Sequence, residues 1–248
     1  MDRSRRAFLI ATGFVLARPG PLRAQSGGDG DHRLQLDLPV LSEDASAVPV
    51  QVFVDHPMES DHFIRSIEIT VDTDPVPYKG TFLFTPANGR AWVGFQMRSG
   101  VGGLLRAVGE CSRHGRFSAT REYRVAEGGC TPGPDPAVRE RLGNPRISLP
   151  RSVKAGDIVE VKTKVDHASD TGLVLKSGRF VRSGPPFHVR QMLVYLDDAK
   201  ISEFQMSAAI SPDPLIRFPL KLSRSAMLRI VFVNTEAQRW QVSQAVRL

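Results

Sequence analysis

The chain reads as one strand pattern written twice. Val50-Gln51-Val52-Phe53-Val54-Asp55-His56 resembles Val161-Lys162-Thr163-Lys164-Val165-Asp166-His167, and Ile64–Asp72 lines up with Val189–Asp197. Leu104–Val108 then pairs with Met227–Val231, and the segments Phe117–Val125 and Trp240–Leu248 close the two copies in the same way. The matches keep their order, with offsets that drift only from 111 to 125. A repeat at that spacing predicts two copies of one domain rather than one large fold.

Each copy is built from short alternating runs such as Val48–Val54 and Ile158–Val165. Alternation puts one side of a strand in a core and the other in water. Thr73-Asp74-Pro75, Pro86-Ala87-Asn88-Gly89 and Ser211-Pro212-Asp213-Pro214 are turn chemistry between the runs. Six or seven such strands in roughly 100 residues predict an all-β fold, two immunoglobulin-like β-sandwich domains in tandem, with a Greek-key barrel as the competing architecture. The expected division is a leader over 1–24, a first sandwich over 25–127, a linker over 128–144 and a second sandwich over 145–248. Gly128 to Pro134 is a Gly/Pro linker. Asp135-Pro136 reads as an N-cap and first-turn proline, and Gly143 and Pro145 as a stop, which predicts a short helix over 136–142.

The amino terminus points to export. Ser4-Arg5-Arg6-Ala7-Phe8-Leu9-Ile10 is a twin-arginine motif, and the apolar run from Ala11 to Ala17 is too short to span a bilayer. Cleavage before Gln25 would leave a periplasmic protein that folds before it crosses the membrane. The leader takes five Arg and one Asp from totals of 33 basic and 26 acidic residues, leaving 28 and 25. A chain that close to balance, with no basic patch interleaved with aromatics, is not expected to bind nucleic acid.

Cys130 is the residue with chemistry on it. It follows Gly128-Gly129 and precedes Thr131-Pro132-Gly133-Pro134, so a thiol stands on a short stalk between segments that cannot bury it. The second cysteine lies in Cys111-Ser112-Arg113-His114-Gly115, the turn of a predicted hairpin whose return strand is Phe117–Val125. Nine strand residues put roughly 30 Å between the ends of that strand, and a disulfide needs alpha carbons within about 7 Å, so the two cysteines are expected to stay free. His56 and His62 are six apart, and Cys111-x-x-His114 is a half-site without a partner pair. No metal is expected: His56 and His167 fall at equivalent places in the repeat, which predicts a shared structural role. The methionines Met58, Met97, Met192, Met206 and Met227 read as core filling. No nucleophile elbow, P-loop or dinucleotide fingerprint is present.

The same residues resemble a known pair of bacterial proteins, the SoxY and SoxZ subunits of the thiosulfate-oxidising system. The first half is similar to SoxY through its twin-arginine leader, Val54-Asp55-His56-Pro57-Met58, Phe84-Thr85-Pro86-Ala87 and Gly128-Gly129-Cys130. The second resembles SoxZ through Leu149-Pro150-Arg151-Ser152-Val153-Lys154-Ala155-Gly156-Asp157, Asp166-His167 with Thr171-Gly172-Leu173, and Ala209-Ile210-Ser211-Pro212. The resemblance implies a natural fusion that acts as a covalent carrier and not as an enzyme, with no cofactor. Cys130 would hold thiosulfate-derived sulfur on the Gly128-Gly129 stalk and present it to a c-type cytochrome and to sulfur-oxidising and sulfur-hydrolysing enzymes. The family's arm ends just after its cysteine, whereas here the chain continues into a second domain. Carriers fused in this way are associated with quinoprotein alcohol dehydrogenases, which gives an alternative partner. An exported immunoglobulin-like binding module is the alternative of a different class. The two domains are expected to pack on each other.

Overall fold

The computed structural model describes residues 32–126 and 141–248. The leader, the Gly128-Gly129-Cys130 stalk and residues 136–140 of the expected helix lie outside the described residues. Among the described residues the structure is strand and turn, with a 3-10 turn over Pro86–Asn88 and 3-10 conformation at Arg141, a described residue of the expected helix. The expected pair of immunoglobulin-like sandwiches is what the chain forms.

The first domain holds β1 (Arg33–Asp37), β2 (Leu41–Ser42), β3 (Val48–Asp55), β4 (Ile64–Val71), β5 (Tyr78–Leu83), β6 (Ala91–Met97), β7 (Gly102–Cys111) and β8 (Gly115–Val125). The second holds β9 (Gly143–Ser148), β10 (Ile158–Asp166), β11 (Leu173–Lys176), β12 (Arg179–Arg182), β13 (Val189–Leu196), β14 (Ala199–Met206), β15 (Leu215–Lys221), β16 (Ala226–Asn234) and β17 (Arg239–Val246). β9 already begins at Gly143, inside the stretch read from sequence as linker. The alternation seen in sequence is alternation of burial: Val48, Val50, Val52 and Val54 face the core, and Pro49, Gln51 and Phe53 do not.

The two domains share their sheets. One sheet runs β1-β3-β6-β15-β10-β9, the other β17-β16-β13-β14-β5-β4-β7-β8-β2, and β11 and β12 form a separate hairpin. Matching β1 with β9, β3 with β10, β4 with β13, β5 with β14, β6 with β15, β7 with β16 and β8 with β17 makes each order a near-palindrome, so the repeats meet about a pseudo-twofold axis. Phe82 on β5 pairs with Phe204 on β14 at that axis, and Gly94 on β6 pairs with Arg217 on β15. A β-carbon at Gly94 would stand 2.9 Å from Arg217 Nε, which is why the axis position carries a glycine on one side.

One continuous core crosses the junction, with Phe82, Phe84, Phe95, Phe204 and Phe218 in edge and tilted contacts at 5.1–5.9 Å. Fully buried Asn88 is satisfied across the boundary: its amide donates to Ser202 Oγ and to the Pro219 carbonyl, both at 2.9 Å, and its oxygen accepts from Ser202 Oγ at 3.0 Å. The domains are therefore one packed body, as an intramolecular pair on a short linker should be. No described helix is long and apolar enough to cross a membrane.

Candidate functional site

The hairpin read from sequence is present, with Cys111 the last residue of β7 and paired with Gly115, the first of β8. What the sequence reading did not anticipate is the company it keeps. His32 precedes β1, His56 follows β3, His62 lies in the loop before β4, and His114 is in the hairpin turn. These four segments converge at one end of the first sandwich, and one ligating atom from each of His32, His56, His62, Cys111 and His114 lies within 4.8 Å of all the others. The His56–His62 pair and the Cys111–His114 half-site therefore complete one another, with His32 as the fifth member. His32 has no motif around it, so only the β1–β3 register, Arg33 opposite Asp55, shows that it reaches His56.

The neighbouring contacts are close. His56 Nε2 is 3.0 Å from His62 Nε2, His62 Nε2 is 3.2 Å from His114 Nδ1, and His114 Nδ1 is 3.4 Å from His32 Nε2. Cys111 Sγ is 3.7 Å from both His56 Nε2 and His114 Nδ1. His32 and Cys111 are buried, His56 and His62 half-buried, and His114 exposed, so the cluster grades from core to surface.

His56 and His32 are held from outside the cluster. His56 Nδ1 donates to the Pro57 carbonyl at 2.5 Å, which leaves Nε2 as the lone-pair nitrogen facing the cluster. Burial first, and then the neighbouring imidazoles of His62, His32 and His114, push the His56 imidazole below its ordinary range, so it is neutral near pH 7. His32 stacks on His56 at 4.8 Å and on Phe117 at 4.6 Å. Phe117 in turn lies over its cross-strand partner Gly109, where a β-carbon would meet Phe117 Cζ at 2.4 Å. The His62 loop is closed by paired backbone bonds between Glu59 and His62 and is tied to the hairpin tip. Ser112 N–H donates to the Phe63 carbonyl at 2.9 Å, Phe63 N–H donates to Ser112 Oγ at 3.1 Å, and Arg113 pairs with Asp61.

Of the site residues expected from sequence, Cys130, Gly128 and Gly129 lie outside the described residues. Cys111 is free and 3% exposed, sealed among imidazoles, so it is not a thiol that a large partner can reach. Eleven residues of β8 lead away from it to Val125, roughly 33 Å, and the five residues from Val125 to Cys130 can cover at most about 17 Å. Chain length alone keeps the two cysteines from bonding within one molecule.

Comparison with known proteins bears on both halves. Residues 22–130 match the family model of sulfur oxidation protein SoxY, and residues 147–245 that of sulphur oxidation protein SoxZ. No curated protein matches the chain. Among solved structures, a superoxide reductase (neelaredoxin) from Ignicoccus hospitalis is 15% identical, over 46% of this chain and 86% of its own, with a TM-score of 0.35. The two tandem V-type regions of a v-region-containing chitin binding protein are 11% identical, over 87% of this chain and 99% of theirs, with a TM-score of 0.25. Likenesses at that level carry no argument about function.

Proposed function

Starting from a chain that belongs to the SoxY and SoxZ families, one domain of each in tandem, and hence to the sulfur-oxidation Sox system, we propose that it is a carrier whose Cys130 thiol holds thiosulfate-derived sulfur. The observation that carries this reading is where the SoxY match stops: its last residue is Cys130, and the SoxZ match begins at 147. The cysteine thus falls at the end of the SoxY unit, in the place the resemblance reserves for the attachment thiol. The burial of Cys111 supports the same assignment by removing the other candidate.

A thiol near its ordinary pKa of about 8.5 is only a few per cent thiolate at neutral pH, so the reading needs a partner that activates it. A c-type cytochrome would oxidatively couple the cargo to Cys130, and separate enzymes would oxidise and hydrolyse what is held. The carrier itself is then not an enzyme. The Arg5-Arg6 motif supports action in the periplasm after export as a folded protein. Because the chain runs on after Cys130, partners must admit a loop rather than a chain end.

Intact mass of protein taken from the periplasm without reductant, followed by peptide mapping, tests the reading. Sulfur or thiosulfonate additions on Cys130 that dithiothreitol removes are expected. A bare Cys130 that stays inert when offered thiosulfate and the oxidising partner would overturn it.

A further inference from the structure

The geometry points to a mononuclear metal site in the first domain: one divalent first-row transition-metal ion held by His32, His56, His62 and His114 through nitrogen and by Cys111 through sulfur.

Hydrogen bonding alone does not account for the cluster. A ring nitrogen has a single in-plane direction, used by one proton or one lone pair. His62 Nε2 has two other ring nitrogens within 3.2 Å. His114 Nδ1 has two ring nitrogens and a sulfur within 3.7 Å. His56 Nε2 has a lone pair to offer, because its other nitrogen is committed to Pro57. Pairs can be satisfied by sharing protons; a single ring nitrogen facing two or three such partners at once cannot satisfy them all.

An ion at the centre accounts for all of them. Metal–nitrogen bonds of about 2.0–2.1 Å place two ligand nitrogens about 2.9 Å apart at a right angle and about 3.4 Å apart at a tetrahedral angle. The three nitrogen pairs measure 3.0, 3.2 and 3.4 Å. A metal–sulfur bond of about 2.3 Å at a similar angle to nitrogen predicts about 3.6 Å, and both sulfur–nitrogen separations are 3.7 Å. The backbone N–H of Arg113 approaches Cys111 Sγ at 3.5 Å, the kind of donor that supports a coordinating thiolate. The Pro57 carbonyl plays the matching part behind His56.

Five protein ligands exceed the four that close a structural zinc site. Imidazole and thiolate donors in that number suit an ion of higher coordination, which would have room for one exogenous ligand beside the five protein groups. The buried sulfur is on the protein side. Binding moves one proton from the Cys111 thiol to solvent and changes no oxidation state. The site does not rest on the carrier reading, since Cys130 cannot reach it.

The test uses the full mature chain, reduced and anaerobic, titrated with Fe(II) and separately with Co(II) as a spectroscopic probe. Metal analysis after gel filtration is expected to give one ion per chain, and the cobalt form to show thiolate-to-metal charge-transfer absorption. Cys111→Ser should abolish that absorption. His114→Ala, at an exposed turn position where folding is not at risk, should weaken binding at least tenfold, as even an outer-shell loss can do. Cys130→Ser should change neither. Azide should perturb the cobalt spectrum if the sixth position is open, and an unchanged spectrum would overturn that part. Less than a tenth of an ion per chain, or cobalt bound identically by wild type and Cys111→Ser, would overturn the site.

Discussion

The two sandwiches place the same turn at equivalent ends and use it differently. β3 and β10 both end in Asp with His next, and in both domains the histidine Nδ1 donates to the next carbonyl at 2.5 Å: His56 to Pro57, His167 to Ala168. In the second domain His167 is fully buried, and its Nε2 accepts from the Asn234 amide at 3.1 Å. Phe187 and Trp240 pack on it at 4.6 and 5.5 Å. In the first domain the last residue of β7 is Cys111 where β16 ends in Asn234, and three residues on stands His114 where the second domain has Ala237. The pair before the next strand is transposed, His62-Phe63 before β4 against Phe187-His188 before β13. One end is a hydrogen-bonded plug. The other is the same frame with ligands where the plug's packing groups would be.

The domains also differ at β5. Lys79 is fully buried and donates to Asp74 at 2.5 Å and to the Val76 and Arg98 carbonyls, while Asp74 accepts from Ser99 and Gly100. Counting from Phe82 and Phe204 at the axis, the second domain has apolar Ile201 at that position. Burial drives the Lys79 amine down and Asp74 pulls it back up, so its charge depends on that partner. Lys79→Met should cost about 3–5 kcal/mol in urea unfolding, because it leaves Asp74 buried without a counter-charge. The double variant Lys79→Met, Asp74→Leu should recover much of that loss. If the single variant is as stable as wild type, the ion pair is not what separates the domains here.

The transposed histidine supplies a pH test of intermediate size. Burial foremost, with His167 nearby, lowers His188 to about 4, and its Nδ1 is buried with no hydrogen-bond partner. The native state thus favours neutral imidazole. Its contribution is present above the ordinary pKa of about 6.5 and is lost as pH falls from there toward 4, a span worth about 3 kcal/mol at most. Unfolding curves at pH 7.5 and 4.5 should show that loss, and His188→Phe, which restores the first domain's residue at that place, should show less of it. Equal acid sensitivity in both proteins would place the titrating group elsewhere, with His56, also depressed, the next to examine.

The repeat was legible because strand alternation and turn residues are local, and the tandem family assignment followed from motifs in order. The palindromic sharing of sheets was not legible, since β6–β15 and β5–β14 pairing joins residues more than a hundred positions apart. The metal-ligand cluster was half legible. His56 with His62, and Cys111 with His114, are visible as spacings, but the repeat itself argued against them by equating His56 with His167. That equation holds for the backbone and fails for the chemistry. Extending the comparison to Phe187, Asn234 and Ala237 would have exposed the difference, because the second copy has no ligand at those three places except the Asn234 amide. His32 gives no signal in sequence, and only the β1–β3 register places it.

The smallest effect is the one that separates plug from ligand set most cleanly. His167→Ala removes a fully buried ring and leaves the Asn234 amide short of an acceptor, although Gln238 still takes a bond from it at 2.8 Å. That should cost about 2 kcal/mol whether or not metal is added. His56→Ala in metal-free protein removes a half-buried ring from a crowd of like groups, and should cost under about 1 kcal/mol. With Co(II) in excess the ranking should invert. An ion that binds only the native state raises stability by RT ln(1 + [L]/Kd), so wild type and His167→Ala should both gain a rise in Tm that His56→Ala has lost. Thermal melts of the three proteins with and without cobalt decide it. If His167→Ala loses the metal-dependent rise as well, the second domain's histidine is coupled to the first domain's cluster through the shared sheets. The two ends would then have to be treated as one unit.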